Sequence, residues 1–429
     1  MRISRRTLLA GTSAAALAAL PAPAVRAQAR KFVIMSHAVH QRAVTGTRGG
    51  DSSAEWKQRA GVETEWLTFG VEAVHERVYR EAGLAEGGVD VAFVLERYGG
   101  PHIAPLFEDL GPHQQRDPIE DLTEIGAGMR AAHTYGTKVV GIPYRHATHG
   151  FFYNEALLTE RGLTRPPQTL EEVMEYADRL SFVRGDGTRV NGFVTSMDDP
   201  SGIVDIIRGF GGDFISRDYR FVADAEPAVR AITQLRDWFR RQVLPRNVMT
   251  FKTEEVITAM QQGRAAMTNQ PYGRFDNYND PRQSRFPGQI KVQTIPALST
   301  IGAAGGIVPA KTSVWAMAIP RNARNKELSW SFIKEVSSKA STIRAAINGN
   351  GPVRLSAYDD PRVQELAPYS AFERRVLPTA MLVLPGFEHA ARAMDIFMEE
   401  VQRAMIGQAE PAEAMRSAKS RIEPLLPRG

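Results

Sequence analysis

Asn269, Gln270, Tyr272 and Arg274 fall within six residues, directly after the apolar run Ala265-Ala266-Met267. An amide pair, a flat ring and a guanidinium at the end of a short strand suit a polyhydroxylated ligand. The ring covers C–H faces, the amides and the charged group bond hydroxyls, and Gly273 lets the backbone come close. Similar residue types stand where other apolar runs stop. His37 follows Lys31–Met35, Glu96 and Arg97 follow Val89–Leu95, and Tyr144, Arg145 and His146 follow Gly141–Pro143. Ligands of open α/β sheets bind outside the carboxyl ends of strands, so all of these are candidate contacts. Gly305 and Gly306 can offer backbone N–H groups, Arg354 follows Asn350-Gly351-Pro352, and Phe387 follows Pro385-Gly386 at the start of a late helix. On residue type alone, a solvated loop or core packing accounts for each of these segments equally well. Trp315 and Trp330 fall inside an expected strand and helix and are assigned to the core.

Other chemistries have less support. A glycoside hydrolase needs two carboxylates about 5–9 Å apart, whereas Asp198-Asp199 and Asp359-Asp360 are adjacent, which points side chains apart on a strand and suits turns. Nucleophile elbows, His-Glu-x-x-His and phosphate loops are missing. His37/His40 and His146/His149 have the spacing of a metal-ligand pair on a helix. Here both pairs fall where strands are expected to run into loops. No cofactor is implied.

Residues 1–29 read as an export signal of the twin-arginine type. Arg5-Arg6 precedes the interrupted apolar stretch Leu8–Leu20, and Ala27 and Ala29 offer cleavage points. That stretch is shorter than the roughly 20 residues a spanning helix needs. Four of the five net positive charges sit in Arg2, Arg5, Arg6 and Arg26, so the exported chain is close to neutral. No basic face with interleaved aromatics remains, which argues against nucleic acid. The chain has no cysteine, which excludes thiol catalysis and a lipid anchor on cysteine. A soluble periplasmic protein of a Gram-negative cell is the expectation.

The elements that must position these groups divide into two patterns. About 400 residues exceed one hydrophobic core. Strand-like Lys31–Met35, Val62–Leu67 and Val89–Leu95 alternate with helix-like Ser53–Ala60 and Val71–Ala82, which predicts an α/β lobe with a mostly parallel sheet. Lys138–Pro143 is a further strand. Thr169 and Glu172 have capping-box spacing before a helix to about Leu180. Helices are expected at Glu226–Arg241, Thr253–Gln262, Phe387–Met405 and Pro411–Leu425, with short strands at Gly192–Thr195, Ala265–Thr268 and Lys291–Thr294. Val314–Ile319 and Lys326–Lys339 repeat the early α/β pattern late in the chain. A return to the first lobe implies several crossings and a hinge able to close on a ligand.

Four stretches resemble, in order, the extracellular solute-binding proteins of sugar-type ABC importers. They are GIPYRHATHGFFYNEALLTERGLTRPPQTLEEVMEYADRL (141–180), MQQGRAAMTNQPYGRF (260–275), GAAGGIVPAKTSVWAMAIPRNARNKELSWSFIKEVSS (302–338) and IGQAEPAEAMRSAKSRI (406–422). The resemblance implies a two-lobed periplasmic binding protein of the type II fold with several hinge crossings. Its lobes would be 30–143 with 302–351, and 144–301 with 352–429. It would be a non-enzymatic, monomeric carrier, delivering a sugar, oligosaccharide or polyol to an inner-membrane ABC permease. The alternatives are a metal-ion binding protein of the same fold and an exported glycan-active enzyme. Two departures stand out: Ser36–His40 replaces the family's Trp- or Gly-containing turn, and Tyr272 stands where Trp is frequent.

Overall fold

Strand Val91–Leu95 is buried at every position, which is why it reads as an unbroken apolar run rather than an alternation. It forms the centre of a five-stranded sheet in the order Val62–Thr68, Arg30–Ser36, Val91–Leu95, Val314–Ala318, Ile142–His146. The computed structural model describes residues 30–302 and 307–427, so the segment 1–29 and the pair Gly305–Gly306 lie outside the described residues. The first three strands are parallel, and Val314–Ala318 runs antiparallel to both of its neighbours. The expected mostly parallel sheet is therefore mixed, with one reversed strand. The reversal places the start of Val314–Ala318 at the same edge as the carboxyl ends of the other four.

A second five-stranded sheet has the order Ile290–Gln293, His149–Asn154, Ala265–Pro271, Arg189–Phe193, Phe182–Val183. Each sheet has its own core. Phe32, Phe93, Trp330 and Phe332 belong to the first, and Trp238, Phe397 and Met415 to the second. Helix Glu226–Arg240 buries Ala228, Ala231, Ile232, Leu235 and Trp238, a single face at helical spacing. Helices Ala390–Met405 and Pro411–Ile422 pack against it, so the end of the chain completes the second lobe. The result is a two-lobed α/β fold.

The chain passes between the lobes at three places that touch one another. Strand Ile142–His146 ends in the first sheet, and after Ala147 and Thr148 the strand His149–Asn154 enters the second. Ala147 and Ser313 exchange backbone hydrogen bonds of 3.0 and 3.1 Å, and His149 N–H donates to Lys311 O at 2.9 Å. His146 N–H donates to Gly351 O at 3.2 Å, which ties in the third passage.

Several elements differ from expectation. Residues 38–45 form a helix, Ala38–Thr45, capped by His37, whose ring accepts from Val39 N–H. The His37/His40 pair is thus not in a loop. Strand Ala265–Pro271 runs on through Asn269 and Gln270 because their neighbours in His149–Asn154 keep the backbone paired. The expected strand Lys138–Pro143 splits into a short hairpin strand, Lys138–Val139, and Ile142–His146. The helix expected over Lys326–Lys339 stops at Val336, and Ser338 caps a separate helix, Lys339–Ile347.

Candidate interlobe binding site

The five strand ends at one edge of the first sheet face the second lobe, and a cavity of about 380 Å³ lies between them. Glu96 and Arg97 border it from the first lobe, Lys311 and Ser313 from a crossing, and Asp199, Ser201 and Met394 from the second lobe. Glu96 is fixed in place because its carboxylate accepts Val314 N–H at 2.7 Å. Burial pushes its pKa up, while Lys311 and that N–H oppose the rise. Lys311 is held at both ends. Its ammonium donates to Ser313 Oγ at 2.7 Å, and its backbone N–H donates to Asp205 Oδ1 at 2.7 Å. Asp205 is itself paired with His149 through Nδ1 at 2.6 Å. Burial opposes ionisation of Asp199, yet Lys311 and hydrogen bonds from Ser201 outweigh it and hold the carboxyl below its ordinary value. The cavity thus combines fixed carboxylates, an ammonium and a hydroxyl with the thioether of Met394. Such a lining can bond several hydroxyls while covering an apolar face.

His37 and Arg145 lie further along the same edge. The His37 ring is 6.4 Å from Trp315, and Arg145 is the cross-strand neighbour of Trp315. Burial lowers the His37 pKa, and Arg145 and Arg42 lower it further. Arg274, on the turn after Tyr272, approaches from the second lobe and lies within electrostatic range of Arg145. Tyr144 is buried, and its hydroxyl has no partner among the described residues.

Other candidates are committed to the scaffold. Tyr272 is 0% exposed; its hydroxyl donates to Gln293 O at 3.2 Å, and Tyr369 stacks on its ring at 5.7 Å. No ligand can lie on that ring in this arrangement. Asn269 is buried within a paired strand, although its Oδ1 lacks a partner. His146 bonds Thr148 Oγ1 at 2.9 Å and Tyr358 Oη at 2.8 Å, and burial lowers its pKa to about 3. It belongs to the hinge, whereas His149 pairs with Asp205. Arg354 does not reach the cleft. It is 1% exposed and donates to the carbonyls of Ser337, Asp121 and Glu120 at 2.8, 3.0 and 2.7 Å. Phe387 is buried in the second core with Tyr219 edge-on at 6.1 Å.

Sequence reasoning missed Asp199, Ser201, Lys311 and Met394. The Asp198–Ser201 segment follows strand Arg189–Phe193, so the strand-end rule applies to it, but the adjacent carboxyls read as a turn. Met394 looks like any other apolar residue of helix Ala390–Met405.

The profile of the family described as bacterial extracellular solute-binding protein matches residues 54–343. A probable ABC transporter-binding protein of Deinococcus radiodurans is 21% identical over 309 residues, which are 69% of this chain and 71% of that protein. The fold of maltose-bound MalE3 of T. maritima superposes with a TM-score of 0.73 at 22% identity, covering 93% of this chain and all of that one. A ribitol complex of an ABC transporter solute-binding protein from Agrobacterium radiobacter gives 0.70 at 21% identity, covering 92% and 98%. Two lobes on three joined crossings, and a family profile that spans more than half of the chain, place this protein among the bacterial extracellular solute-binding proteins.

Proposed function

We propose that the protein is the exported, periplasmic binding component of an ABC importer, taking up a sugar, oligosaccharide or polyol between its lobes and delivering it to an inner-membrane permease. The observation that carries this reading is the cavity lined from both lobes by Glu96, Arg97, Asp199, Ser201, Lys311 and Met394. Polar groups on both sides give a small polyol bonds that exist only when the lobes stand together, which is the physical basis of closure on a ligand. Relatives of the same fold hold maltose and ribitol, which supports this solute class. In this reading the lobes are 30–143 with 302–351, and 144–301 with 352–429. Residues 1–29 act as the twin-arginine signal, and no helix among the described residues is long and apolar enough to cross a membrane. The carrier acts as a monomer, without catalysis.

A thermal-shift screen of monosaccharides, oligosaccharides, polyols and their acidic derivatives tests the proposal. A bound solute raises the melting temperature because only the folded chain binds it. The expected result is a rise with one such class and a smaller radius of gyration in its presence. Absence of any rise, or of any contraction by a compound that does bind, overturns it.

A further inference from the structure

Arg145 differs from the other deeply placed arginines. Arg208 and Arg354 spend their N–H groups on backbone carbonyls at close range. The Arg145 guanidinium has two contacts at the limit of hydrogen bonding, Gly349 O at 3.5 Å and Asn350 Oδ1 at 3.4 Å. Two cations act on it, while the carboxyl within its range, Glu373, makes no ion pair with it. Arg42, on helix Ala38–Thr45 of the first lobe, and Arg274, on the turn of the second, both lie within its electrostatic range, and His37 lies within range of both Arg42 and Arg145. Among the described residues none of the three guanidiniums makes an ion pair. Two carboxyls are near. Burial raises the pKa of Glu373 to about 8, which favours its neutral form, and its Oε2 accepts from the Tyr358 hydroxyl at 3.0 Å, while Asp276 lies within electrostatic range of Arg48 and Tyr369. The unpartnered Tyr144 hydroxyl adds a donor close to Arg145.

Cations of like sign on opposite lobes oppose closure, and a part-buried guanidinium whose only acceptors are neutral and at 3.4–3.5 Å is poorly compensated. An oxyanion removes both difficulties, because a guanidinium fork matches carboxylate or phosphate oxygens two at a time. We propose that the solute carries an anionic group, phosphate or carboxylate, held by Arg145 together with Arg42 and Arg274 at the hinge end of the cleft. The polyhydroxylated part of the same solute extends toward Glu96, Asp199 and Lys311. Neutral sugars are then rejected by repulsion between the lobes, an instance of specificity by unfavourable contact with the wrong ligand. This inference rests on the cleft reading given under Proposed function.

Calorimetric titration of the exported chain with ribitol, ribitol 5-phosphate, ribonate, maltose and inorganic phosphate tests it. The phosphate or the carboxylate form of the polyol is expected to bind at least about tenfold more tightly than ribitol, the effect of one charge-assisted bond. Which of the two wins identifies the group. The preference is expected to weaken with added salt and to disappear in Arg274→Gln and Arg42→Gln, whose side chains are part-buried and exposed, and in Arg145→Gln. Equal or tighter binding of the neutral compounds overturns the anion assignment and leaves the cleft reading standing. Survival of the preference in the folded Arg42→Gln/Arg274→Gln double variant overturns the assignment of the arginines. Failure of every compound to bind overturns both.

Discussion

The hydroxyls of Thr148 and Thr312 stand 2.8 Å apart, buried, where two crossings run side by side. Thr148 Oγ1 also bonds His146 Nδ1, whose Nε2 reaches Tyr358 Oη, and the Tyr358 hydroxyl meets Glu373 at 3.0 Å. A chain of five polar groups therefore links both crossings to the second lobe. With the backbone bonds between Ala147 and Ser313, it makes the crossings bend as one ribbon, which favours rotation of whole lobes over sliding.

Thr312→Val keeps the volume and removes one end of this chain, leaving Thr148 its bond to His146. A loss of about 1 kcal/mol in folding stability is expected. Thr148→Val leaves both Thr312 and His146 without that partner, so its loss is expected to be about twice as large. Urea denaturation of the two variants checks the order. Equal losses would show that the hydroxyls do not act in sequence.

Arg354 follows the third crossing at Gly351 but donates to three carbonyls of the first lobe and the adjoining turn. Replacing it with Met strands those carbonyls in a buried site. A loss of about 3 kcal/mol or more is expected, with unchanged solute affinity for the molecules that remain folded. Weakened affinity at unchanged stability would return Arg354 to the binding site.

Local pattern made part of this architecture legible. Helix Val71–Ala82 has a helical period bounded by Gly70 and Gly83, and its ends match expectation. The Thr169 cap holds too, since its hydroxyl accepts Glu172 N–H at 3.2 Å. In the variation from a capping box, the Glu172 carboxylate takes the N–H of Gln168 at 2.7 Å. Helix Ala38–Thr45 was not legible because its reasons are tertiary. His40 is fully buried, its ring 4.6 Å from both Phe93 and Trp315, so packing from two distant strands stabilises a segment of weak amphipathic pattern. The same holds at the cleft. Glu96 and Arg97 were readable as polar residues after an apolar strand, whereas Lys311 acquires its place only when the second crossing docks against Asp205.

Acid pH should destabilise the protein through buried histidines. Burial lowers the pKa of His75 and His133 to about 4 and of His146 to about 3. Below the unfolded value of about 6.5 the unfolded chain binds protons that the folded one does not, so stability falls as pH drops from that value toward 4. Urea midpoints measured from pH 7 to pH 4.5 should fall, and His75→Gln should fall less steeply. Equal slopes for the parent and His75→Gln would mean that the His75 ring is protonated in the folded state.

Glu373 acts in the opposite direction. Burial raises its pKa to about 8 against the hydrogen bond from Tyr358 and the charge of Arg145. The folded protein keeps a proton that the unfolded chain releases above about 4.3, so stability is lost as pH rises from there to 8. Glu373→Gln cannot ionise. Its stability relative to the parent should grow by on the order of 1 kcal/mol per pH unit between pH 5 and 8 and then level off. A pH-independent difference would show Glu373 already ionised in the fold.

The two stacked tyrosines near the hinge should separate scaffold from site. Tyr272 lies wholly inside an apolar cluster with Phe152, Tyr278 and Ile290, and a Cβ placed on Gly150 would come within 2.4 Å of its ring. Tyr272→Ala opens a cavity there, and a loss of about 3–5 kcal/mol is expected, as for other large aromatic truncations. Tyr272→Phe loses only the bond to Gln293 O, about 1 kcal/mol. Tyr369 covers that ring, is part-buried, and lies within electrostatic range of Arg145. Tyr369→Ala should therefore cost less stability than Tyr272→Ala while weakening solute binding more than Tyr272→Phe does. Denaturation and titration of the three variants decide the matter. Intact affinity in Tyr369→Ala would remove this face of the stack from the ligand's path.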